Sequence, residues 1–141
     1  MDIMFNDEES IDLILLFYTP FNGVLETDIE EYSGMRKLIE NDAVDLNDGW
    51  YSLNNKGYSI MEAYIDKYSR EIISIFKKHG FYMSEDMLYG WFSEEYHCLN
   101  DSDTKDIVNY LLINLHNRGY EACKSYSSKK GSRFYIRQIE G

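Results

Sequence analysis

Apolar residues along this chain fall into blocks whose spacing alternates between the helical and the strand period. The first block, SIDLILLFY from Ser10, is apolar on almost every side and predicts a buried helix. Ser10 stands where an N-cap is expected. Pro20 should end the helix, because proline has no N–H to donate and disfavours helical backbone in the residue before it. FNGVLETDIEEY then predicts a turn at Asn22-Gly23 and a short helix capped by Thr27, with Glu30 three positions on to complete a capping box. A third helix is expected over 34–42, where Met35, Leu38 and Ile39 share one face and Arg36, Lys37 and Glu40 lie on the other.

In AVDLNDGWYSLNNKGYS, two brief apolar runs flank Asn47-Asp48-Gly49, the pattern of a tight hairpin in which Gly49 takes positive φ. A long helix from about Tyr58 follows, with Ile60, Tyr64, Tyr68, Ile72 and Ile75 as its apolar stripe and Glu62, Asp66, Lys67 and Arg70 outside it. It should end near His79-Gly80, where Lys77, Lys78 and His79 complement the negative helix end and Gly80 serves as C-cap. Helices over 84–96 and 104–117 come next. Ile107, Tyr110, Leu111 and Leu115 form the apolar side of the second, and Arg118-Gly119 its stop. The chain closes with two strands, GYEACKSYS and SRFYIRQIE, joined by SKKG. The fold class expected is helix-rich α+β, with residues 1–80 and 81–141 as two parts or one continuous domain and any boundary near 79–84.

Composition adds bounds to this pattern. At 141 residues, 44% hydrophobic and 16% aromatic, the chain has material for a packed core in one domain or two small ones. Thirteen tyrosines are read first as core and boundary residues, their polar tips reaching the surface. IDLILLFY is too short to cross a bilayer and no basic leader precedes it, so a soluble cytoplasmic protein is expected, with no membrane partner. Cys98 and Cys123 lie in neither redox nor metal-ligand spacing and are expected to be reduced thiols.

Charge is the strongest constraint on partner choice. The net charge is −11, and residues 1–48 alone hold thirteen acids against two bases, while Tyr120 to Gly141 hold five bases against two acids. An acidic surface of this density repels phosphate backbones and speeds association with basic proteins.

Catalytic patterns are few. His79, His97 and His116 are far apart, and the adjacent side chains of His97-Cys98 diverge on regular structure, which does not suit a nucleophile–base pair. DSDTKD lacks the glycine and distal glutamate of a calcium loop and is explained by helix capping through Ser102 or Asp103. The pairs Glu30-Glu31 and Glu94-Glu95 point apart on helices, and no phosphate-binding glycine loop occurs. No enzyme, cofactor or metal is therefore expected. KSYSSKKGSRFYIRQ interleaves bases with Tyr126, Phe134 and Tyr135, a composition suited to single-stranded nucleic acid; the reading preferred here is a basic, partly exposed hairpin.

The succession of helix, short helix, helix, hairpin and long helix over 10–78, with Tyr51, Leu53, Lys56 and Gly57 in WYSLNNKG, resembles the winged-helix domain of bacterial regulators, Asn54 replacing the usual threonine. The resemblance implies a winged-helix-like N-terminal half, with a recognition helix near 33–42 and a wing near 46–53. A duplex reader needs lysines and arginines there, yet only Arg36 and Lys37 are present, surrounded by acids. The function expected is thus binding and inhibition of a basic protein, such as a nuclease toxin met by its immunity protein, or a nucleic-acid-handling enzyme met by a phage-type inhibitor. Asp28, Glu30, Glu31, Glu40, Asp42, Asp45 and Asp48 would engage the basic cleft, with Trp50 and Tyr51 as anchors. The alternative is a DNA-binding regulator using Arg36 and Lys37. Nucleic acid is not the expected partner.

Overall fold

A computed structural model describes residues 5–18, 23–96 and 100–139. The expected stop at Pro20, the turn residue Asn22 and the His97-Cys98 pair lie outside the described residues. The fold is helix-rich α+β, with two small antiparallel sheets and a C-terminal hairpin. Two compact units form, Met1–Ile65 and Asp66–Gly141.

In the first unit, helix α1 (Asp7–Tyr18) starts before Ser10 because Asn6 is its cap. Asn6 Oδ1 accepts from the Glu9 N–H at 2.8 Å, and Glu9 Oε1 accepts from the Asn6 N–H at 3.0 Å, a reciprocal capping box. Ser10 is instead buried and donates its hydroxyl to Asn6 O. Ile11, Leu13, Ile14, Leu16 and Phe17 are buried, as a helix apolar on most sides requires.

Strand β1 (Val24–Leu25) leads into a 3₁₀ turn, Glu26–Glu31. The expected cap at Thr27 is not formed: Leu25 holds the cap position without a side-chain bond, and Glu30 pairs with Arg36 instead. Helix α2 (Met35–Glu40) buries Met35 and Leu38. Strands β2 (Val44–Asn47) and β3 (Trp50–Leu53) form the expected hairpin, with Asp48 at φ 51° and Gly49 at φ 76°. Two successive positive φ values match the right-handed twist of the strands, which is why Asp-Gly suits this turn. The sheet order is β1–β3–β2, all antiparallel.

Helix α3 (Asn55–Lys78) runs out of this hairpin, and the two units part within it between Ile65 and Asp66. It begins three residues before Tyr58 because Asn54 caps it, Oδ1 accepting from the Gly57 N–H at 3.0 Å. Its buried stripe is Met61, Ile65, Tyr68, Ile72 and Phe76, rotated by one position from the expected set; only Tyr68 and Ile72 are common to both. Ile60, Tyr64 and Ile75 are half-buried. Tyr64 uses its hydroxyl to accept from the Phe5 N–H at 2.8 Å. The expected boundary region, 79–84, contains the turn that follows this helix and the strand Tyr82–Ser84.

In the second unit, β4 (Tyr82–Ser84) is followed by α4 (Glu85–Glu95), capped by Ser84, whose Oγ accepts from the Met87 N–H. Helix α5 (Asp101–Ile113) is capped by Asn100 rather than Ser102 or Asp103: Asn100 Oδ1 accepts from the Asp103 N–H at 2.8 Å. A 3₁₀ turn, Asn114–Arg118, ends at Gly119. The C-terminal hairpin β5 (Tyr120–Ser127) and β6 (Gly131–Gln138) has the expected strands and turn, and β4 adds to it in the order β4–β6–β5. Phe92, Leu88, Tyr96, Ile107, Leu111, Leu115, Phe134 and Ile136 are buried in this unit.

Candidate interaction surface

The register of the first sheet sorts its side chains, because directly opposed residues share a face. Val24 opposes Tyr51, which opposes Leu46, and Leu53 opposes Val44. This is the inward face, since Val24 and Leu53 are buried, although Leu46, next to the hairpin turn, is exposed. Leu25, Trp50 and Asn47 share the other face with Ser52 and Asp45. On it Leu25 is 46% and Trp50 36% exposed. The Trp50 indole packs against the bare backbone of Gly23, where a Cβ would stand 2.5 Å from the indole Nε1. The Glu26 N–H donates to Gly49 O at 2.8 Å and so ties the start of the 3₁₀ turn to the hairpin turn.

The nine sequence-selected residues fall into distinct groups. Asp45 and Trp50 stand on one outward sheet face, whereas Tyr51 points to the opposite face and is half-buried. Asp42 and Asp48 have local backbone duties, each adopting a left-handed φ, 55° and 51°. Asp42 follows α2 and offers its carbonyl to Asn54 Nδ2 at 2.7 Å; such a position tolerates aspartate and asparagine better than most side chains. Glu30 is engaged by Arg36. Asp28, Glu31, Glu40 and Asp45 have no basic partner among the described residues, and all but the half-buried Asp28 are exposed.

The two bases of α2 are both occupied within the chain. Arg36 pairs with Glu30, and Lys37 Nζ lies 2.8 Å from Glu9 Oε1. Burial raises the pKa of Glu9, but the Lys37 hydrogen bond, the Asn6 N–H and the Lys37 charge together outweigh it and hold this carboxyl below its ordinary value. Glu9 therefore caps α1 and anchors α2 at once. Nothing in the sequence spacing, twenty-eight residues apart, announces this bond.

Sequence reasoning also missed Leu25 and Glu26. A two-residue strand has no period to read, so its pairing with β3 and the exposed apolar spot it makes with Trp50 emerge only from the fold. The acids divide unevenly between units: residues 1–65 carry fourteen acids against three bases, net −11, and residues 66–141 carry eleven of each, net zero. Among the described residues no group of three His, Cys, Asp or Glu side chains is placed to hold a metal ion, and no helix is long and apolar enough to cross a membrane. Compared with protein-family models, with curated proteins and with solved structures, the chain matches none.

Proposed function

We propose that this chain is a non-enzymatic inhibitor that uses its N-terminal unit, in a winged-helix-like arrangement, to occupy a basic cleft on a cytoplasmic protein. A nuclease toxin or another nucleic-acid-handling enzyme fits that description, because its cleft is built to receive phosphates. The carrying observation is that the whole net charge of −11 belongs to residues 1–65. Such a concentration costs self-repulsion and gives fast, salt-sensitive association with a cationic surface. Asp45, Glu31 and Glu40 offer free carboxylates, and Trp50 with Leu25 offers an apolar anchor beside Asp45. Exposed aromatic anchors ringed by polar groups are where interface energy concentrates.

The order of elements supports the winged-helix-like arrangement: helix, short strand, 3₁₀ turn, helix, hairpin and long helix in succession. It equally suits a DNA-binding regulator. That alternative needs Arg36 and Lys37 for phosphates or bases, and both are engaged by carboxylates of the chain itself.

The test begins with the tagged chain purified from its native host, with and without nuclease treatment, and mass spectrometry of what accompanies it. A stoichiometric basic protein that survives nuclease treatment supports the inhibitor, whereas recovery of specific duplex DNA favours the regulator. With the partner in hand, the double substitution Glu31→Lys and Asp45→Lys should slow association about tenfold at low salt, with a smaller effect at high salt. Unchanged kinetics would reject this acidic interface.

A further inference from the structure

The second sheet presents a surface unlike the first. Opposed residues again share a face: Phe134 and Ile136 of β6 are buried, so Arg133, Tyr135 and Arg137 point outward. Tyr82 of β4 is directly opposite Tyr135, and Cys123 of β5 lies on the other side of it. Ser84 and Ser125 flank Arg133, and Glu121 is opposite Arg137. Tyr82 is 43% and Tyr135 36% exposed, and opposed side chains on neighbouring strands have Cβ atoms about 4.5–5.5 Å apart. Two accessible phenol rings thus stand side by side on the outer face of an antiparallel sheet.

The cations around these rings are largely uncompensated. The hairpin from Tyr120 to Gln138 holds Lys124, Lys129, Lys130, Arg133 and Arg137 against Glu121 alone. Lys124 pairs with Glu85 and Arg137 with Glu121. Among the described residues no carboxylate pairs with Lys129, Lys130 or Arg133. The Arg133 guanidinium lies 5.3 Å from the centroid of the Tyr82 ring, and its buried Nε has no hydrogen-bond partner there. Lys129 and Lys130 occupy the turn that ends the same hairpin.

We infer that the outer face of the β4–β6–β5 sheet binds single-stranded nucleic acid, with bases stacked on Tyr82 and Tyr135 and phosphates met by Arg133, Lys129 and Lys130. Each part of the surface matches one requirement of that ligand. Flat rings accept any base face, unpaired cations take the phosphates, and a sheet displays both in a fixed register. A protein partner would not explain two adjacent tyrosines bordered by free bases as directly, and a duplex hides its base faces from such rings. Phe134, one of the three aromatics interleaved in the basic segment, has no part in this site, because it faces inward; Tyr82, forty-seven residues before Lys129 and outside that segment, takes its place. The zero net charge of residues 66–141 leaves this sheet free of a local acidic excess. The inference does not depend on the inhibitor reading, which concerns residues 1–65.

Fluorescence anisotropy with the full chain tests it, using labelled twelve-nucleotide oligo-dT, oligo-U and a duplex of the same length at low salt. Saturable binding of either single strand, tighter than the duplex and weakened by added salt, is expected. Tyr82→Ala and Tyr135→Ala should each weaken it about tenfold, while Tyr135→Phe keeps the ring and the affinity. Lys129→Glu with Lys130→Glu should weaken binding and flatten its salt dependence. Circular dichroism of each variant reports whether the fold is kept. No saturable binding at 100-fold excess over probe, equal affinity for the duplex, or indifference to loss of both tyrosine rings in folded variants would overturn the inference.

Discussion

Replacing Phe92 with alanine is expected to destabilise the second unit by about 3–5 kcal/mol, the cost of removing a fully buried phenyl ring and leaving a cavity behind it. The ring is the middle of an aromatic cluster. Its centroid is 4.6 Å from that of Tyr96 and 5.8 Å from that of Trp91, and Tyr96 in turn meets Tyr68 edge-on at 5.2 Å. The Trp91 contact is edge-to-face, and such a pair adds about 0.5–1.5 kcal/mol beyond burial, so truncation removes a directional contact as well as area. With only two tryptophans, one per unit, a Trp50→Phe background leaves Trp91 as the reporter of this unit during urea unfolding. A fall in the midpoint equivalent to less than about 1 kcal/mol would mean that the cluster collapses around the gap or that the ring bears little of the core.

That cluster also shows where composition was informative. A high tyrosine content read as core and boundary material is right for Tyr68 and Tyr96, which are buried, and for Tyr64, whose ring is half-buried while its hydroxyl serves a backbone N–H. It says nothing about which tyrosines meet outside. Tyr82 and Tyr135 become neighbours only because β4 returns to pair with β6 across more than fifty residues. Pairing of that range is decided by the packing of Phe134 and Ile136 beneath the sheet, not by local pattern.

Local pattern served best where one residue's backbone preference decides the outcome. Asp48-Gly49 and the SKKG turn gave both hairpins, and Gly80 marked the end of the long helix, because positive φ is confined to few residue types. Helix starts are less legible. The sequence points to Ser10, Thr27 and the Ser102-Asp103 pair as caps, yet asparagines at 6, 54 and 100 cap α1, α3 and α5. A cap is whichever side chain reaches the N–H two or three residues on, and an asparagine in a polar run looks like any loop residue until that geometry exists. The stripe of α3 was ambiguous for a different reason. Ile60, Tyr64 and Ile75 alternate with Met61, Ile65 and Phe76 on adjacent tracks, both apolar at helical spacing, and only the neighbouring elements select the second.

For the candidate surface, the acidic excess was legible and its arrangement was not. Counting charges locates −11 in the first unit but cannot separate carboxylates with structural duties from free ones. Glu30 is held by Arg36, and Asp42 and Asp48 sit in turns, which leaves Asp28, Glu31, Glu40 and Asp45 as the residues with the fewest local obligations. Charge reversal at Glu31 and Asp45 therefore tests binding with little expected effect on the fold, whereas the same change at Asp48 would disturb the hairpin turn as well.

Gly57→Ala is expected to destabilise the first unit by about 2–3 kcal/mol, although alanine is the better helix former by about 0.5–1 kcal/mol. A Cβ at this position would overlap the carbonyl oxygen of Ala43 and stand 2.8 Å from Leu53 Cδ2. The carbonyl is not free to retreat, because it accepts from the Asn54 N–H at 3.1 Å. Asn54 in turn caps α3 through the Gly57 N–H and donates its Nδ2 to Asp42 O. The bare Cα of Gly57 thus lets the start of α3 close against the residue that begins the hairpin, and a single added methyl group pushes on every member of this knot. Gly90→Ala provides the contrast: Gly90 is exposed within α4 and no heavy atom lies within 4 Å of the added Cβ, so there the same substitution should stabilise by about 0.5–1 kcal/mol. Intrinsic propensity predicts one sign for both changes, whereas the contact at Ala43 predicts opposite signs. Urea midpoints followed by Trp50 in a Trp91→Phe background for Gly57→Ala, and by Trp91 in a Trp50→Phe background for Gly90→Ala, decide between them. Stabilisation by both would show that α3 does not need this close approach. A loss confined to Gly57 would tie the placement of Asp45 and Trp50 to it, because the strands that carry them begin and end at the residues packed on that glycine.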